Sequence, residues 1–321
     1  MVYNYYQGVV RERISKLALL TIALLFSLTA AIGVFSSAGA SDHCQTTPAG
    51  TANYVNEVPN NAFTVTCEIG IYFDQNGTIN RAQVEGATDS AMSTQYGIYV
   101  DGAKVDVRNS SVTVEEDYAN RFVGVTYQDG ASGAVRNSEL TGALRAAVVV
   151  RGANTDVSVQ KNLIAGTGAK TSGWAENGVQ VDQGATASIK NNQIEGFWWD
   201  GESNWASTAI MLFADKSSVV NNDVKDSEFA FYVSGDKNKV KGNTTNSTVV
   251  SSVFSAYGIL VSGEKNHIAG NKLTSDDGAV GVYFFPGSEK NRLTGNRVSG
   301  FAYPVYDGGD NVVRGLVTPV Q

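Results

Sequence analysis

Residues 178–194 read Gly-Val-Gln-Val-Asp-Gln-Gly-Ala-Thr-Ala-Ser-Ile-Lys-Asn-Asn-Gln-Ile. Apolar and polar side chains alternate through Val179 and Val181, pause at Asp182-Gln183-Gly184, alternate again through Ala187 and Ile189, and pause at Asn191-Asn192 before Ile194. Successive strand residues point to opposite faces, so three such stretches joined by two tight turns can close one apolar face inward. That is one coil of a β-solenoid. Its opening phrase, Gly or Ala followed by aliphatic, any residue, aliphatic, recurs at Gly70, Gly97, Gly124, Ala147, Gly178, Ala209, Ala230, Gly258 and Gly281. Recurrence of a short supersecondary unit defines a repeat architecture, here all-β with about nine three-strand coils. No sustained helical stripe interrupts the period-two pattern.

Aligning the second pause yields one column: Ala82, Ser110, Ser138, then Asn162, Asn192, Asn222, Asn243, Asn271 and Asn296. An inward asparagine at a repeated bend can bond side chain to backbone from coil to coil, and asparagine tolerates the left-handed conformation such a bend needs. This resembles the asparagine ladder of the pectate-lyase-like superfamily, over Gly70 to about Val313. The resemblance implies a single-stranded right-handed parallel β-helix, and it implies no particular chemistry, since one fold hosts many. A propeller fits less well, because its blades need four strands and a near-constant repeat length.

The chain divides into residues 1–40, a 41–69 N-terminal cap segment and a 70–321 solenoid. In the first part Arg11, Arg13 and Lys16 precede an apolar run from Leu17 and the small residues Ala38-Gly39-Ala40, the order of a secretory signal. An uncleaved membrane anchor is the alternative, and would be the chain's one membrane contact. Either way the protein is expected to be secreted or on the cell surface. Cys44 and Cys67, the only cysteines, are then expected to pair in a disulfide. The net charge of −7 comes with no run of basic residues, so nucleic acid is not an expected partner.

If Ile98 and Val100 point inward, Tyr99 and Asp101 point outward, and the same parity applies to every coil. One outward column is then Asp74, Asp101, Gln128, Arg151 and Asp182, continuing as Phe213, Ser234, Ser262 and Phe285. Beside it run Tyr72, Tyr99 and Gln180. The polar N-terminal half is the candidate site, with Tyr99, Asp101, Arg151 and Asp182 as catalytic candidates. Asp74 and Asp101 are placed to hold a hard cation such as Ca²⁺, the one cofactor considered, or to share a proton; the alternative is two solvated acids. Arg151 suits a substrate carboxylate, or a cross-strand pair with Asp182.

The longest segments before a coil start contain Trp174, and Trp198, Trp199, Asp200, Glu202 and Trp205. Flat aromatic faces beside polar groups suit sugar rings; alternatively these segments fold back as a small core of their own. Together these features point to an extracellular polysaccharide or cell-surface glycan as ligand. Arg151, Tyr99 and the acids have the makings of β-elimination or epimerisation of a uronate, and Asp200 with Glu202 those of a glycoside hydrolase. Against catalysis, Asn154-Thr155-Asp156 is the only fragment resembling the polygalacturonase set, and no Asp-Pro-His-Asp element of mannuronan epimerases occurs. A non-catalytic structural or adhesive solenoid is the competing reading. A metal-handling periplasmic β-helix is disfavoured by the absence of His, Met and Cys clusters.

Overall fold

The computed structural model describes residues 43–46, 53–55, 63–86, 94–115, 121–142, 144–171, 173–201, 206–249 and 255–316. They form a parallel β-solenoid with no helix among the described residues. Each of the nine Gly/Ala starts lies on a strand of one column, beginning with Ile69–Phe73 and Thr94–Asp101. The second strands of the coils form a separate eleven-stranded sheet, while the first and third columns merge into one nineteen-stranded sheet. They merge because some third strands run straight into the next first strand, as in Lys272–Phe284.

The winding starts earlier than the starts indicate. His43–Thr46, Asn53–Val55 and Phe63–Val65 pair in parallel with the three strands of the Gly70 coil, so the segment expected as a cap forms a rung of its own. These strands are too short for alternation to reveal them. Cys44 and Cys67 form a disulfide across this rung. Residues 1–40 lie outside the described residues, and no described helix is long and apolar enough to cross a membrane.

Inside the tube, like residues stack on like. Ile71, Ile98, Val125, Val148, Val179 and Ile210 occupy successive rungs of the first column and are fully buried. At the second bend Ala82, Ser110, Ser138 and the six asparagines form one unbroken ladder. Each backbone N–H donates to the side-chain oxygen one rung on. The conformational reading needs correcting: the left-handed residue is the one before each ladder position, as at Asn109, Lys161, Asn191 and Asn221. The ladder residue itself keeps an ordinary negative φ, which leaves its amide free to span two coils.

A second ladder stands at the first bend. Ser217, Asn238, Asn266 and Asn291 each donate a backbone N–H to the side-chain oxygen of Asn238, Asn266, Asn291 and Asn311 respectively. Its sequence signal is the repeated Lys-Asn-x-aliphatic at 237–240, 265–268 and 290–293. Those runs look solvated because lysine and histidine flank the asparagine; the asparagines themselves are buried.

Candidate functional site

Strand register places the outward columns as parity requires. Asp101 lies opposite Gln128, and Arg151 opposite Asp182; Tyr72, Tyr99, Thr126, Val149 and Gln180 follow one another rung by rung. A further outward column, not anticipated from the alternation, carries Ile69, Tyr96, Val123 and Ala146. It was hidden because the residue before each Gly/Ala start breaks the simple alternation. Tyr96 and Tyr99 meet edge to face at 5.1 Å, and Tyr72 stacks on Tyr99 at 6.1 Å.

The face is more enclosed than a bare sheet. Tyr99 is 6% and Asp182 3% exposed, whereas Asp101, Gln128 and Arg151 are half-buried and Asp74 is exposed. Gln180 Nε2 donates to Asp182 Oδ2 at 2.6 Å, but Asp182 Oδ1 is buried without a hydrogen-bond partner, and so is Arg151 Nε on the neighbouring strand. The cross-strand pair does not close as an ion pair within 4.0 Å, although the guanidinium still acts on the carboxylate at longer range. Burial raises the Asp182 pKa, and the Gln180 hydrogen bond and Arg151 work against that rise.

The phenols are pushed the same way. Desolvation, then Tyr96 and the nearby acids, raises Tyr99, with Arg151 opposing. Tyr72, raised to about 12 by partial burial and by Asp101, donates its hydroxyl to Asp101 Oδ2 at 3.2 Å. Each phenol thus stays a donor at neutral pH and is a poor proton acceptor. Asp101 is engaged by Tyr72, and among the described residues no group of three or more His, Cys, Asp or Glu is arranged to hold a metal.

The tryptophan-bearing segments sit to one side. Gln193–Trp199 is a single strand, and Phe197, Trp198 and Trp199 run alongside Gly168, Ala169 and Lys170. Trp198 and Trp199 are 1% and 3% exposed, so neither presents a ring to solvent. Asp200 is half-buried, and Glu202 and Trp205 lie outside the described residues. Trp174 is half-buried, with the Lys170 ammonium 5.7 Å above its ring.

Two buried carboxylates anchor this region. Glu176 accepts from Thr167 N at 2.9 Å and from Lys170 Nζ at 2.9 Å, and Glu228 accepts from Ser207 N at 3.0 Å. Desolvation drives the Glu228 carboxyl well above its ordinary range, with backbone donors from Ser207 and Trp199 pulling back and Asp200 adding repulsion. Glu228 is the residue that sequence reasoning missed. The signal was there: each of these acids stands two places before a coil start.

Comparison with known proteins agrees with the winding. Residues 49–204 match the family model described as a right-handed beta helix region, and residues 200–313 match that of the periplasmic copper-binding protein NosD. No curated protein matches the chain. Among solved structures, the A-module of a mannuronan C-5 epimerase from Azotobacter vinelandii shares 12% identity over 79% of this chain and 77% of its own, with a TM-score of 0.41. The surface protein and adhesin PfbA of Streptococcus pneumoniae shares 11% identity over 79% of this chain and 91% of its own, at 0.28. Within residues 200–313 the only imidazole or sulfur donors are exposed His267 and buried Met211, on different sheets. That donor set does not suit copper.

Proposed function

Starting from a chain that is a right-handed parallel β-helix repeat protein, we propose that it is an exported glycan-binding protein whose first-sheet face holds an acidic sugar between Arg151 and Asp182. The observation that carries this reading is that two cross-strand neighbours each hold a buried, unpartnered polar atom, Arg151 Nε and Asp182 Oδ1. Buried polar groups without partners are costly, so an unmatched donor beside an unmatched acceptor marks a position built for a ligand. One needs an acceptor and the other a donor. A uronic acid offers both, as a carboxylate and a neighbouring hydroxyl, and the tyrosines supply a ring face and donors.

Export is supported by the signal-like first segment, by the disulfide and by the match to a periplasmic family. On this reading the site binds in the first place. The competing reading, a structural or adhesive solenoid, rests on the C-terminal half of the same face. There Met211, Tyr232, Leu260 and Tyr283 are buried and closely packed, leaving no polar site.

Titration with a short oligouronide, followed by tryptophan fluorescence and by absorbance of unsaturated products, tests the proposal. Arg151→Ala is expected to weaken binding by about 1.5–3 kcal/mol, the scale of a hydrogen bond to a charged group. A neutral oligosaccharide should bind no more weakly to the variant than to the parent. Equal uronide affinity in parent and variant would make this face scaffold and favour the structural reading.

A further inference from the structure

The basic residues of the C-terminal coils are scattered in sequence, yet the winding stacks them. On the outer face of the second sheet Lys239, His267 and Arg292 are direct cross-strand neighbours in one column. The next outward column holds Lys241, Ala269, Thr294 and Arg314. Around the bend at Gly242, Gly270 and Gly295, Lys272 and Arg297 stand opposite each other on the third strands. All six Lys and Arg are exposed, and so is His267, whose Nε2 lies 3.4 Å from the Thr294 hydroxyl.

None of those six is ion-paired within 4.0 Å among the described residues. Two of the acids on neighbouring positions are matched elsewhere, Glu264 with Lys265 and Glu289 with Lys290, both at 3.5 Å. A chain of net charge −7 therefore carries a local cluster of six exposed cations, with Glu289 and Asp310 at one edge of the second-sheet columns and Asp223 two rungs before Lys272. The expectation from sequence concerned runs of basic residues along the chain; the winding stacks these cations across it.

We propose that this face is a docking track for a linear acidic glycan bearing a negative group on successive sugars. It is independent of the first-sheet site. Four observations favour that partner. Rungs repeat at about 4.8 Å, a spacing comparable to the advance per sugar of an extended pyranoside chain, so charges repeated along the chain meet cations recurring at whole numbers of rungs, one from Lys272 to Arg297 and two from Lys239 to Arg292. The glycines and Ala269 and Thr294 keep the path between the cations low. The face has no aromatic side chain on which bases of a single strand would stack. Its exposed large hydrophobics among the described residues are Val312, which continues the column beyond Arg292, and Val313 beside it, too little for the broad apolar face of a membrane-surface element.

The test measures binding of the full exported chain to polygalacturonate, dextran, vesicles of phosphatidylglycerol with phosphatidylcholine, and a short DNA duplex, across a salt series. The parent should bind polygalacturonate with an affinity that falls steeply as salt rises, and should ignore dextran. Combined Lys239→Ser, Lys241→Ser and Arg292→Ser should weaken that binding on the order of tenfold and flatten its salt dependence. Lys104→Ser, an exposed cation on the same sheet in the N-terminal coils, should leave the salt-sensitive component in place. Lys239→Arg with Lys241→Arg should bind as the parent does, which separates lost charge from disturbed folding. The proposal is overturned if the triple variant matches the parent, if the parent does not bind polygalacturonate, or if vesicles or the duplex bind more tightly than the glycan.

Discussion

Glu228 shows how a single side chain can make this fold pH-dependent. Its carboxylate is buried, receives the backbone N–H of Ser207, and sits where the strand ending at Trp199 turns toward the next coil. Desolvation raises its pKa well above 4.5, so the folded state keeps the proton at pH values where the unfolded chain has released it. The sign follows directly: stability is greatest near and below pH 4.5 and declines as pH climbs toward the folded value. Glu228→Gln keeps an acceptor for Ser207 and removes the buried charge. The variant should melt a few degrees above the parent at pH 8, with the gap closing toward pH 5. A gap that does not change with pH would assign the effect to packing instead. Asp182 is raised for the same first reason, but it stands on the outer face across the strand from Arg151, which ties it to the site more than to the fold.

At the scale of the element, what matters is how tightly one coil rides on the next. Gly142 ends the third strand Glu139–Gly142 with φ at +96°, and a Cβ there would come within 1.7 Å of the Val114 carbonyl oxygen. Gly130 also has a positive φ, +84°, but faces open space in the turn before Ser132–Arg136. The pair separates two costs. Gly130→Ala should lose about 1–2 kcal/mol from the left-handed conformation alone. Gly142→Ala should lose clearly more, because the rung-to-rung backbone contact must also open. Chemical denaturation of both variants decides this; equal losses would mean the coils have slack that the contact distances deny. The same tightness explains the two ladders, since an asparagine amide spans one rung to the next only when every coil keeps its bend in register.

Across the whole molecule each coil contacts mainly its neighbours, so stability is a sum of local units and can be changed at one end. The Cys44–Cys67 disulfide closes a span of 23 residues at the N-terminal rung and contributes about 3 kcal/mol in the loop-entropy account. Cys44→Ser should therefore speed amide hydrogen exchange in residues 63–86 while leaving Lys272–Phe284 near its parental rate. A uniform change along the chain would show the solenoid to be one cooperative unit. The molecule also separates its surfaces. The uronide-binding position proposed near Arg151 and the cationic track near Arg292 lie on different sheets and different coils, so one extended chain could be held on one face while another is read on the other.

The fold was legible because its determinants are local and repeated. Period-two alternation, a small residue at each start and an asparagine at six successive second bends are properties of adjacent residues, and they suffice to specify a parallel winding and its first ladder. The outward parity of Asp101, Arg151 and Asp182 followed by the same rule. Which of those outward groups is buried did not, because burial depends on what packs over the sheet. Asp182 and Trp199 both proved enclosed. Nor could sequence show that Arg151 and Asp182 stand side by side without pairing, or that Lys239, His267 and Arg292 form one column. Coil lengths vary, so cross-rung neighbours recur at no constant interval, and only the winding brings them to strand spacing.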